Sequence, residues 1–207
     1  MFLRTTPLHP EAVFLEDVTD DLASFEMPEG FARARMIFDA GQEPDGLPAL
    51  GWQAVKRTAV FRLPTQNVSG IETHVHAVSG PKMSEWFEMH WQYYDACHSD
   101  NPPKRPANLA RTFGQTIEDG SAVMIDAAMG AGFASLRGMR GGVSEAGWIG
   151  GAAQAVQLGI VWCCHFGQRI GAREIEFEAD DTDPPLWSAL SQKARPKQEF
   201  TTWEMPA

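Results

Sequence analysis

The sequence predicts an α+β fold: a mainly antiparallel sheet packed on one long buried helix (about 144–168) and one amphipathic aromatic helix (about 83–98). Three observations carry this expectation. Residues 173–179 alternate, with Ile175 and Phe177 set against Glu174, Glu176 and Glu178, which is the period of a half-buried strand. Met83, Trp86, Phe87, His90, Trp91 and Tyr94 recur at i, i+3, i+4, i+7, i+8 and i+11, the period of a helix with one apolar side. No Asp, Glu, Lys or Arg occurs from position 146 through 168, as expected of a core helix.

The elements follow in order. Residues 1–30 carry seven acids and one arginine, with Pro7, Pro10 and Pro28, and read as an irregular acidic arm. Residues 31–207 read as a single α+β domain. Positions 32–39 form a first strand and 53–63 a second, with Val55, Ala59, Phe61 and Leu63 on one face. A third strand is expected at 71–78, and the short turn before it predicts an antiparallel hairpin with the second. Ser79 or Ser84 can cap the aromatic helix, and Asp100-Asn101-Pro102-Pro103 ends it. Within that helix Phe87 and Trp91 are expected to be buried, with Trp86 nearer a pocket that His90 faces.

A short helix is predicted over 107–117 and a strand over 122–127. Gly130, Gly132, Gly138, Gly141 and Gly142 then mark a glycine-rich connection. Ser144 reads as the N-cap of the long helix, with Glu145 in its first turn and Gly171 beyond its end. After the strand at 173–179 come a helix at 186–193 and a strand at 200–203.

Composition narrows the function. A net charge of -10 argues against nucleic acid as a partner, because phosphate backbones are bound through clustered Lys and Arg. The uncharged stretch holds Gln154, Gln157, His165 and Gln168 and many small residues, which suits protein packing better than lipid. Three cysteines give no disulfide framework, and the N-terminus has no apolar run of signal-peptide length. These features predict a cytoplasmic protein with no membrane partner. Its seven tryptophans and twelve phenylalanines are available for a core, a pocket or a homo-oligomer interface.

Chemistry concentrates in one segment. Four of the six histidines, His74, His76, His90 and His98, fall between positions 74 and 98, interleaved with carboxylates and Cys97. On a strand, period two would put Glu72, His74 and His76 on one face, where two imidazoles and a carboxylate can meet one zinc or iron ion. His90 or His98 could complete the sphere, and Glu85 or Glu88 could act as general base. The function expected from these residues is a mononuclear metal-dependent hydrolase or oxygenase acting on a small molecule. The alternative is a non-enzymatic ligand-binding or assembly protein that uses the aromatic helix as pocket or interface. A G-x-G sits at Gly130–Gly132, but no acid follows at the distance a dinucleotide fingerprint requires.

Overall fold

The computed structural model describes residues 1–6, 9–18, 22–78, 82–97 and 121–207. Among these residues ten strands form one sheet: β1 (Phe2–Thr6), β2 (His9–Glu16), β3 (Arg33–Asp39), β4 (Gln53–Pro64), β5 (Val75–Ala77), β6 (Ala122–Ala127), β7 (Gly130–Arg140), β8 (Val143–Gly151), β9 (Glu174–Asp180) and β10 (Gln198–Pro206). Among the described residues three α-helices accompany them, α1 (Lys82–Cys97), α2 (Ala153–Arg169) and α3 (Pro184–Ser191). The strand order is β1-β2-β3-β10-β4-β9-β8-β7-β6-β5. Neighbours are antiparallel except β2–β3 and β8–β9.

The sheet carries helices on both faces. Consecutive residues of β7 point opposite ways, so Phe133 packs with Trp86 of α1 while Ala134 packs with α2. The main core lies on the α2 side, where Phe61, Leu136, Ile160, Ile175 and Phe177 are almost fully buried. A second cluster (Val13, Leu15, Met36, Leu47 and Trp52) covers the sheet's other end.

The aromatic helix forms as its period predicts, and so do strands β3, β4, β6, β9 and β10 and helix α3. The long buried helix over 144–168 does not. Residues 143–151 are strand β8, and only Ala153–Arg169 are helical. Ser144 is no cap: it is fully buried, and its hydroxyl donates to the Arg137 carbonyl at 2.8 Å. Small residues pattern equally well at either period, and the sheet decides between them. β8 is flanked by β7 and β9, and a Cβ at Gly147 would collide with the Ser135 hydroxyl.

Three further expectations change. The glycine-rich connection is itself strand β7, closed onto β8 by Gly141 and Gly142 with φ of 62° and 83°, as a two-residue hairpin turn requires. Residues 71–78 do not pair with β4, whose two edges are already taken by β10 and β9. They form a 3-10 turn at Ile71–Thr73 and the short β5, which pairs with β6 at the far edge. The stretch expected to be an irregular arm holds β1 and β2, an antiparallel pair that extends the sheet, with Val13 and Leu15 buried. The helix predicted at 107–117 lies outside the described residues. Among those residues, no helix is long and apolar enough to cross a membrane.

Candidate functional site

Because α2 returns the chain from β8 to β9 as a crossover, the two strands run side by side and parallel. Their pairing is brief. It runs from Val143↔Glu174 to Glu145↔Glu176 and stops there, although β8 continues to Gly151 and β9 to Asp180. Beyond Glu145 and Glu176 the strands part, and a cavity of about 270 Å³ opens where they diverge. Ala146, Ile149, Ala179 and Leu186 supply apolar wall, and α1 contributes His90, Tyr93, Tyr94 and Cys97.

A register shift in the β7–β8 pairing shapes the β8 side. Ser135 Oγ accepts a hydrogen bond from the Trp148 amide at 2.8 Å, and Trp148 packs in the cluster under α1. There the His90 ring stacks on it at 4.0 Å with the planes 18° apart. Trp91 lies 4.7 Å from His90, and Phe133 meets it edge-on at 5.6 Å.

Polar groups make up much of the rest of the cavity wall, Arg137, Glu145, Glu178, Asp180 and Asp183 among them. Tyr93 donates to Asp183 at 2.7 Å, and the same carboxylate caps α3 by accepting from the Leu186 amide at 3.1 Å. Burial, and then the bond to Asp183, push the Tyr93 hydroxyl far above the usual phenol range, so it stays protonated. Burial and the Asp183 charge likewise raise the Cys97 thiol. Glu178 has its carboxyl raised, first by partial desolvation and then by the neighbouring Asp180 charge. Past the end of β8, Ala152 is the N-cap of α2 and makes no side-chain cap bond, and the first turn of the helix holds no acid.

The residues expected to bind metal do not converge. His74 follows the 3-10 turn with αR backbone angles, so it does not alternate with His76 on a strand. His74, His76 and Glu72 are all exposed. His76 Nε2 pairs with Asp126 Oδ2 at 3.0 Å, while Glu72 reaches His165 of α2 at 3.2 Å. His90 lies in the aromatic stack under α1, and His98 lies outside the described residues. Among the described residues no group of three or more His, Cys, Asp or Glu could hold a metal ion. Glu85 and Glu88 are exposed on α1; Glu88 accepts from Gln92 at 3.2 Å, and neither lines the cavity.

The burial order within α1 is also reversed. Trp86 is fully buried, with its indole N–H donated to the Val123 carbonyl at 3.2 Å, whereas Phe87 and Trp91 are half-buried. Tyr93, Trp148, Glu178 and Asp183 were not singled out by residue chemistry. The alternation of β9 placed Glu178 on its polar face, and nothing in the sequence marked the parting of β8 from β9.

No family model matches the chain, and no curated protein matches it in sequence. Solved structures do match in fold. A GCN5-related N-acetyltransferase from Sphaerobacter thermophilus aligns with a TM-score of 0.57 at 11% identity, over 84% of this chain and 59% of that one. An acetyltransferase of the GNAT family from Colwellia psychrerythraea gives 0.52 at 8% identity, over 84% and 65%. A functionally unknown conserved protein from Staphylococcus epidermidis gives 0.52 at 12%, over 84% and 73%. The chain thus spans less than two thirds of the two acetyltransferases. At these identities the match establishes a GNAT-like fold. Together with the dispersed histidines, it overturns the metal-dependent hydrolase or oxygenase expected from the sequence, and the metal-binding histidine cluster with it.

Proposed function

We propose that this protein is an acyltransferase that takes its acyl group from a coenzyme A thioester held between β8 and β9. The observation that carries this reading is the parting of two parallel strands directly after Glu145 and Glu176, with a cavity at the divergence. Past that point each strand turns toward the gap an edge that the other does not pair. Such edges can hydrogen-bond an extended, amide-bearing arm as a further strand would. The uncapped, acid-free start of α2 offers backbone amides and positive dipole to a phosphate-bearing end. Acetyl transfer by the two neighbours named above supports the same reading.

In the reaction the acyl carbon–sulfur bond breaks and a bond forms from that carbon to the acceptor's nucleophilic atom. The acceptor loses a proton, and the departing sulfur gains one. Tyr93, whose hydroxyl stays protonated on Asp183, is a positioning group in the cavity wall rather than the source of that proton.

Titration of the protein with acetyl coenzyme A, followed by calorimetry and by the quenching of tryptophan fluorescence, tests the proposal. One saturable site per chain, with free thiol released when amines are added, is the expected result. An absence of saturable binding would overturn it.

A further inference from the structure

β1 closes one end of the sheet, and among the described residues no strand pairs with its outer edge. Its pairing with β2 is regular from Phe2↔Glu16 to Thr5↔Val13 and shifts only between Thr5 and Thr6. At the start of this stretch Phe2 and Leu3 are 67% and 52% exposed. They stand on opposite faces. Leu3 lies beside Leu15, on the side of the second apolar cluster, whereas Phe2 and Arg4 lie beside Glu16 and Phe14 on the other. An edge strand is commonly guarded by a charge, a proline or a bulge. The one charge on this edge is already engaged within the chain, since Arg4 pairs with Glu16 and its guanidinium lies 5.6 Å from the Phe14 ring.

A helix or loop lying on one face cannot cover two apolar side chains that stand on opposite faces of one edge. A strand that continues the sheet flanks both. We propose that the outer edge of β1 pairs antiparallel with β1 of a second copy of this chain, joining two sheets into one. The edge fits itself in a single register. Side chains opposite each other share a face, so the two-fold axis falls on one residue and brings it against its own copy. An axis at Arg4 sets two guanidiniums opposite each other, which is unfavourable. An axis at Phe2 pairs only residues 1–3, and one at Thr5 meets the register shift. An axis at Leu3 pairs residues 1–5, up to that shift. Leu3 then meets Leu3 of the second copy, and Phe2 lies across from that copy's Arg4, whose guanidinium gains a second ring beside Phe14. One strand edge buries less than the about 1,600 Å² of a standard interface, and the net charge of -10 on each copy opposes contact. The dimer is therefore weak, and salt tightens it. It does not depend on the reaction that the site carries out.

Sedimentation equilibrium of the full chain, over a range of protein and salt concentrations, tests this. A reversible monomer–dimer equilibrium is expected, with a dissociation constant in the micromolar range that falls as salt is added. Leu3→Glu and Leu3→Lys should each weaken it about a hundredfold, because two leucines lose their burial and like charges meet across the axis. An equimolar mixture of these two variants should dimerise again, since opposite charges then meet there. Leu3→Cys should link two copies on oxidation, whereas Phe2→Cys, which faces Arg4 rather than its own copy, should not. Leu3 is exposed in the single copy, so the circular dichroism of its variants should match that of the parent. A parent that stays monomeric up to about 1 mM would overturn the proposal. So would a dimer indifferent to Leu3→Glu, as contact through another face would give, or oxidative linking of Phe2→Cys without linking of Leu3→Cys.

Discussion

The Tyr93 hydroxyl lies 2.7 Å from the Asp183 carboxylate, and this one bond joins α1 on one face of the sheet to the head of α3 on the other. It crosses where β8 and β9 have separated and no backbone pairing holds the faces together. The bond therefore carries a structural duty that a ladder of hydrogen bonds discharges elsewhere in the sheet.

Removing either partner should show this. Tyr93→Phe is expected to cost about 1–3 kcal/mol, since Asp183 keeps its α3 cap and loses one charge-assisted bond. Asp183→Ala loses the cap as well and should cost about 1 kcal/mol more. The double variant should be less destabilised than the sum of the two, because the shared bond is counted once. Urea denaturation of the three variants measures all of these terms, and strict additivity would contradict the bridging role.

Gly150 provides a second probe of the same contact. A Cβ at that position would collide with the Tyr93 ring and come within 2.6 Å of Phe133 Cζ. Gly150→Ala is expected to cost about 1–3 kcal/mol by overpacking, and to displace Tyr93 from Asp183. Near-ultraviolet circular dichroism and denaturation of this variant should change together.

In α1 the three aromatic positions are unequal. Trp86→Ala should cost about 3–5 kcal/mol, because the side chain is fully buried and its N–H is bonded. Phe87→Ala and Trp91→Ala, at half-buried positions, should each cost about half of that or less. Equal losses at all three, measured by chemical denaturation, would contradict the packing described above.

Glu178 sets a pH dependence whose sign can be worked out. Its folded carboxyl is raised from 4.5 by desolvation, by Asp180 beside it on β9 and by Glu145 on β8, against the opposing charges of Lys56 on β4 and Arg137 on β7. The folded state thus holds the proton more tightly than the unfolded state. This group's contribution to stability grows as pH falls from its raised value toward 4.5, and is constant below. At neutral pH the ionised side chain opposes folding, so Glu178→Gln should raise the melting temperature there, with the gain shrinking toward pH 4.5. A variant less stable than the parent at neutral pH would contradict this, and would point to a cation already held within the chain.

Two elements were legible in the sequence because each carries its own period. Alternation set Ile175 and Phe177 against Glu178 within seven residues, and the i, i+3, i+4 stripe of α1 fixed both its type and its inner face. Its order of burial was not legible, since Trp86, Phe87 and Trp91 all satisfy the stripe and depth depends on where Phe133 and Trp148 lie. The histidine segment misled for a related reason. Nearness in sequence placed His74, His76 and His90 together, whereas the fold sends β5 to an outer edge and turns His90 of α1 onto Trp148.

Local pattern by itself determined β3, β4, β6, β9 and β10, the aromatic helix, the acidic charge and the polar face on which Glu178 stands. Tertiary structure alone decided that 143–151 is a strand, since glycine and alanine bury little on their own and adopt whichever backbone their neighbours can pair. It also decided the site. A gap between parallel strands comes from where two segments stop pairing, and that is set by the bulge at Ser135, by the Tyr93–Asp183 bond and by the helices on either face, all of them contacts between residues far apart in the chain.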